Sequence, residues 1–268
     1  MCIAYLAISA HPRWPLFIAA NRDEFHARPC RAAAPWPDRP DIISGIDTLA
    51  GGTWLGVTKQ GRYALITNYR DLSTLIPDAP SRGALVSNYL AGMQAPQEYA
   101  RHVQAQGHAY NGFNLIVGDH RQAWYVSNRS GQDSPTRLAP GRYVLSNHLL
   151  DTPWPKSQRL RRALDRLSFD GLNQSLTPVF QALRDTTVAE DEALPATGLA
   201  LERERLLSSP FIVSDTYGTR CSTVIALQAE GPSLLSETSY NAQGHQTERH
   251  DWPFSALALY PAQDTASR

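Results

Sequence analysis

Short apolar runs joined by turn-forming residues recur along this chain, and they restrict it to folds built from antiparallel strands. Residues 3–9 and 16–20 flank Ala10-His11-Pro12-Arg13-Trp14-Pro15, which reads as a hairpin with a wide turn. Residues 53–58 and 62–67 flank Gln60-Gly61, a tight turn. Residues 112–117 and 123–127 flank Gly118-Asp119-His120-Arg121, and further runs lie at 142–146, 221–227, 234–240 and 247–252. Helical patterns fill 82–91, 96–106, 155–167, 175–184 and 198–207, the first with Ser81 placed to cap it. Strands, helices, strands, helices, strands, with few crossovers, predict an α+β fold: antiparallel sheets with helices on their outer faces. Residues 26–50, punctuated by Pro29, Pro35, Pro37 and Pro40, read as a loop. No repeat or linker divides the chain, so one domain is expected over 1–260, with a disordered tail at 261–268.

Composition excludes several classes of function. The formal net charge is zero, so neither nucleic acid nor an acidic membrane surface is favoured as a partner. No apolar run approaches the roughly 18 residues of a membrane span, so an integral membrane protein is not expected. A basic segment followed by an apolar one is missing from the start, which speaks against a secretory signal. Cys2, Cys30 and Cys221 are odd in number, widely spaced and without a CxxC, which argues against a disulfide framework or a zinc site and suits a reducing cytoplasm. The eight histidines are scattered. No nucleotide phosphate loop and no HExxH occurs, so neither a cofactor nor a metal is implied. Positive charge is almost all arginine, Lys59 and Lys156 being the only lysines, which reads as compositional bias.

Polar residues gather at the ends of the apolar runs. Removal of Met1 would leave Cys2 with both a thiol and a free α-amino group, held by the strand that follows. A thiolate is a nucleophile, and an amine with a reference pKa of about 7.7–8.0 is a suitable general base near neutrality. The alternative is a cysteine that packs as a small hydrophobe. The second run ends in Asn21-Arg22-Asp23-Glu24, the fourth in Asn68-Tyr69-Arg70, and residues 142–146 end at Asn147. Gly51-Gly52 suggests a bulge or a close backbone approach.

Met1-Cys2, Asn21-Arg22-Asp23-Glu24, Gly51-Gly52-Thr53-Trp54-Leu55-Gly56, Thr67-Asn68-Tyr69, Tyr110-Asn111-Gly112-Phe113-Asn114-Leu115, Leu145-Ser146-Asn147 and Tyr217-Gly218-Thr219-Arg220 together resemble the NRDE family, also called the transport and Golgi organisation protein 2 family. The resemblance runs from Met1 to about Phe254. More distantly, the layout resembles the cysteine N-terminal-nucleophile (Ntn) amidases, such as choloylglycine hydrolases and penicillin V acylases. That likeness implies a four-layer αββα sandwich and hydrolysis of a linear, non-peptide amide in a small molecule. It implies Cys2 as nucleophile, and Asn68 with the Tyr69 amide as oxyanion donors and substrate contacts. Asn147 would meet the tetrahedral intermediate, and Arg220 would support the thiolate. The amidases separate their arginine and aspartate by three residues, whereas here Arg22 and Asp23 are adjacent. Strand neighbours face opposite ways, so Arg22 and Glu24 would share one face and Asn21 and Asp23 the other. Asp23 is favoured as the partner of the α-amino group and Arg22 of the thiolate, with a bulge needed for both to converge; Glu24 could replace Asp23. The family's links also imply an alternative, a non-catalytic protein that binds or carries haem or a lipid. The pocket walls are expected from 26–50, 71–80 and 186–197.

Overall fold

A computed structural model describes residues 2–71 and 73–255; the tail expected at 261–268 and Met1 lie outside them. In chain order the strands are β1 (Cys2–His11), β2 (Trp14–Phe25), β3 (Cys30–Pro35), β4 (Ile42–Asp47), β5 (Leu55–Thr58), β6 (Tyr63–Asn68), β7 (Phe113–Gly118), β8 (Ala123–Ser127), β9 (Thr136–Leu138), β10 (Gly141–Leu145), β11 (Tyr217–Leu227), β12 (Ser233–Tyr240) and β13 (Gln246–Phe254). The helices are α1 (Gly83–Ala91), α2 (Pro96–Gln106), α3 (Pro155–Asp165), α4 (Thr177–Leu183) and α5 (Leu201–Leu206). One sheet runs β10-β1-β2-β11-β12-β13 and the other β3-β4-β5-β6-β7-β8-β9, with every pairing antiparallel.

Side-chain alternation sorts these strands into four layers. On β1 and β2, Ala4, Leu6, Ile8, Leu16, Ile18 and Ala20 face inward and meet Leu55, Val57, Leu65 and Ile116 of the second sheet. The intervening Ile3, Tyr5, Ala7, Phe17 and Ala19 face outward, onto Leu160 and Leu164 of α3 and Val179 and Leu183 of α4. The second sheet does the same, with Ala64, Ile66, Leu115 and Val117 covered by α1 and α2. Both faces of β1 are buried, which explains its unbroken apolar run. Each fully buried aliphatic side chain contributes roughly 1.5–3 kcal/mol to this arrangement. The result is an αββα sandwich.

Residues 26–50 depart from the sequence reading. They form a hairpin, β3 and β4, at the edge of the second sheet, not a loop. The prolines that suggested a loop fall beside or at the end of the edge strand, where a missing N–H breaks no ladder. At α1, Arg82 rather than Ser81 occupies the N-cap position, and no side chain caps the helix.

The expected close approach at Gly51-Gly52 is present. Gly52 has φ +79°, and a Cβ there would lie 2.6 Å from the carbonyl carbon of Gly83, the first residue of α1. Gly52→Ala is therefore expected to cost about 2 kcal/mol or more, since the left-handed backbone alone costs roughly 1–2 kcal/mol with a side chain. Urea denaturation measures this; a loss under about 0.5 kcal/mol, the range of a neutral surface change, would sink it.

Candidate active site

A single row of residues crosses the first sheet. Cys2 pairs with Arg22, Arg22 with Cys221, Cys221 with Ser239, and Ser239 with Glu248. Directly paired residues point to one face, here the inward face of Ala4 and Ala20. All five line one cavity of about 720 Å³. Its other walls include Trp54 and Asn68 of the second sheet region, Arg82 ahead of α1, and Arg28, Cys30 and Asp47 from the β3–β4 hairpin region. The three cysteines, far apart in sequence, thus share one cavity, and all are free thiols.

Cys2 is buried, and burial pushes its thiol up from the ordinary value. The Asp23 carboxylate adds to that rise, while the Arg22 guanidinium and the Asp23 backbone N–H favour the thiolate. Arg22 is 8 % exposed. Its Nη2 lies 3.8 Å from Asp47 and 4.0 Å from Glu24, and its buried Nη1 has no hydrogen-bond partner among the described residues. The parity expected for β2 is observed in part. Arg22 and Glu24 line the cavity, and so does Asp23. Asn21 turns to the helical side, where its Nδ2 donates to the carbonyls of Leu183 and Pro210. Asp23 Oδ1 accepts from Thr219 Oγ1 at 2.7 Å, and burial pushes its carboxyl up, against the pull of Lys156 and Thr219. Glu24 is turned to Arg22 and Arg28.

A bulge is present, but on β11. Thr219 pairs with Asp23 and Cys221 with Arg22, so Arg220 is the extra residue. Its Nη1 donates to the carbonyls of Phe25, His26 and Arg28 at 2.9–3.1 Å, and its Nη2 lies 3.8 Å from the Cys30 sulfur. Arg220 lines the cavity and holds the turn after β2 in place.

Two strand ends from different sheets are tied together beside Cys2. Asn147, fully buried, donates from Nδ2 to the Asn68 carbonyl at 3.1 Å, and its own carbonyl accepts from the Arg70 N–H at 2.7 Å. Thr67 Oγ1 donates to the Ser146 carbonyl, and Ser146 Oγ donates to the Cys2 carbonyl at 3.1 Å. The Asn68 side chain lines the cavity and makes no hydrogen bond among the described residues. Tyr69 departs from its expected role. Its N–H is donated to the Gly112 carbonyl at 2.9 Å, so it is not free to meet an oxyanion. Its hydroxyl is bonded to His148 at 2.8 Å, away from the cavity-lining residues.

Sequence reasoning passed over Lys156. It is 1 % exposed, and its Nζ donates to Asn147 Oδ1 at 3.0 Å. Burial, with Arg70 nearby, pushes it down to about 7, while Asp23, Cys2 and Glu204 pull the other way. The signal was available in a lysine standing two residues into a helix of a chain with only two lysines. Arg82 was also missed; it lines the cavity, donates to the Gly112 carbonyl, and has no carboxylate partner among the described residues. The stretch 26–50 supplies cavity wall as expected and 71–80 contributes Ala79 and Pro80, but 186–197 contributes none.

Among the described residues, no histidine lines this cavity and no group of three His, Cys, Asp or Glu side chains is placed to hold a metal. No described helix is long and apolar enough to cross a membrane. A family model described as Transport and Golgi organisation 2 matches residues 1–242. The Transport and Golgi organization protein 2 homolog of Bos taurus is 38 % identical over 260 residues, covering 89 % of this chain and 93 % of that one. The Homo sapiens homolog is 35 % identical with the same coverage. Among solved structures, a C2A mutant of a conjugated bile acid hydrolase from Clostridium perfringens aligns with a TM-score of 0.45 at 11 % identity, covering 97 % of this chain and 94 % of that one.

Proposed function

The chain belongs to the Transport and Golgi organisation 2 family, and we propose that it is a cysteine N-terminal-nucleophile amidohydrolase acting on a linear amide of a small molecule. The observation that carries this reading is the single cavity that holds Cys2, Arg22 and the unengaged side-chain amide of Asn68. With Met1 removed, the α-amino group of Cys2 takes the thiol proton and the sulfur attacks the amide carbonyl. Asn68 Nδ2 donates to the resulting oxyanion, a contact whose loss costs roughly 2.7–4 kcal/mol in comparable sites. The α-ammonium then gives its proton to the leaving nitrogen as the C–N bond breaks. Water attacks the thioester, restoring the thiol and releasing a carboxylic acid. Asp23 orients the α-amino group, and Arg22 stabilises the thiolate. Arg220 and Asn147 hold the backbone around them. Free thiols at positions 2, 30 and 221 suit a reducing compartment such as the cytoplasm. No observation favours the haem or lipid carrier over hydrolysis: the cavity wall is rich in arginine and carboxylate and offers no histidine among the described residues.

The direct test is intact-mass analysis with a thiol-reactive β-lactone probe, followed by mapping of the modified site. Loss of Met1 and adduct formation at Cys2, ahead of Cys30 and Cys221, is the expected result. Labelling of exposed Cys30 alone, with Cys2 unmodified, would count against a primed nucleophile.

A further inference from the structure

We infer that Lys156 is a positioning residue whose ammonium fixes the Asn147 amide, and through it one bond to the Asn68 strand end, and whose loss of a proton releases that bond. The inference rests on the amidohydrolase reading for its purpose, but its physical basis is independent of turnover.

The geometry forms a chain. Lys156 Nζ donates to Asn147 Oδ1, and Asn147 Nδ2 donates to the Asn68 carbonyl. An ammonium has three donors and no acceptor, so only the oxygen of the Asn147 amide can face it. That choice leaves Nδ2 to hold Asn68. A neutral amine carries a lone pair and accepts as readily as it donates. The amide oxygen then keeps only the long contact from Ser146 Oγ at 3.3 Å as an orienting donor, and the amide can turn over, which would set Asn147 Oδ1 against the Asn68 carbonyl, oxygen to oxygen. The Asn147–Asn68 bond between the two sheets would open where Asn68 enters the cavity, while the Arg70 N–H to Asn147 carbonyl and Thr67 Oγ1 to Ser146 carbonyl bonds stay in place.

The choice of residue at this point is informative. Lys156 stands in the first turn of α3, where the helix dipole disfavours a cation, and it is almost wholly buried. Elsewhere the chain uses arginine for nearly every cation, yet arginine cannot lose its proton and lysine can. The charged groups facing Lys156 come from four elements. Cys2 of β1, Asp23 of β2 and Glu204 of α5 favour the ammonium; Arg70, just beyond β6, opposes it. On its own helix, Arg159 and Arg161 are paired with Asp185 and Asp151. Cys2 and Asp23, the proposed nucleophile and the orienter of its amine, thus share a field with the group that holds Asn147.

Two lysines make a direct measurement possible. Protein labelled with 13Cε-lysine gives two resonances, assigned with Lys59→Arg. The Lys156 resonance is expected to titrate near pH 7, the value to which burial brings it. Alkylation of Cys2 by iodoacetamide, mapped by mass across the same range, is expected to show an inflection at that pH in addition to the thiol's own. Lys156→Arg is expected to lose that inflection. Lys156→Met is expected to lose it and to alkylate about tenfold more slowly near pH 6, the effect of one unit in thiol pKa. Titration of Lys156 near the ordinary value of about 10.4 would overturn the inference, and so would superimposable Cys2 profiles in wild type and folded variants. If neither variant folds, the wild-type titration still decides. Coupled profiles without amide turnover would sink the hydrolase and leave the coupling standing; turnover with uncoupled profiles would do the reverse.

Discussion

Cys2→Ala is expected to lower amide turnover at least about a thousandfold, the scale seen when a covalent nucleophile is removed from a site whose binding groups remain. Folding is expected to survive. The substitution deletes only the sulfur of a short side chain at the start of β1, whose ladder to Arg22 is made by backbone groups. A stability loss under about 1.5 kcal/mol follows from the small volume removed. A thermal melt checks the fold, and turnover on any amide hydrolysed by the wild type checks the chemistry. The amine can be tested separately. A cleavable N-terminal fusion that leaves Cys2 first on cleavage is expected to be inactive before cleavage and active after. Equal activity before and after would exclude the α-amino group as base and return Cys2 to the role of a packed thiol.

Much of this site was legible because strands alternate. The hairpins β1–β2, β5–β6 and β7–β8 follow from apolar runs and their turns, and parity alone separated Arg22 and Glu24 from Asn21, though Asp23 also reaches the cavity wall. Asn68 and Asn147 were singled out as residues beyond strand ends, and both sit beside Cys2's strand for that reason. What was missed depends on pairing between distant segments. The β3–β4 hairpin has an alanine-rich, half-exposed edge strand with weak propensity, and only docking on β5 makes it a strand. The bulge at Arg220 appears only when β11 is laid against β2. The Tyr69 amide looked available until Gly112, more than forty residues on, took its hydrogen bond. Lys156 was dismissed with the composition because a buried cation cannot be recognised without knowing what packs over it.

Arg70→Met is expected to destabilise the fold by about 3–5 kcal/mol, the usual cost of leaving one member of a buried ion pair uncompensated. Arg70 Nη1 meets Glu204 Oε2 at 2.7 Å, with the two side chains 4 % and 5 % exposed. The guanidinium carbon lies 4.8 Å from the centre of the Trp154 ring, just before α3. Methionine would keep much of the packing and strand the Glu204 carboxylate, whose other oxygen accepts from Thr197. The pair is also imperfect, since Arg70 Nε and Nη2 are buried without a hydrogen-bond partner among the described residues. Replacing both partners, as in Arg70→Met with Glu204→Leu, should therefore recover most of the loss, because desolvation of the two charges offsets their attraction. Urea denaturation of the two single variants and the double variant gives the cycle. A single-variant loss under about 1 kcal/mol, the scale of a surface pair, would show that water reaches Glu204 and that the interior around Lys156 is not dry. In the double variant Lys156 loses one opposing and one supporting charge together, so its proton affinity should move little. A stable double variant that keeps its activity would assign the pair to holding α5 against the strand end, and leave the chemistry to Cys2 and the groups that line its cavity.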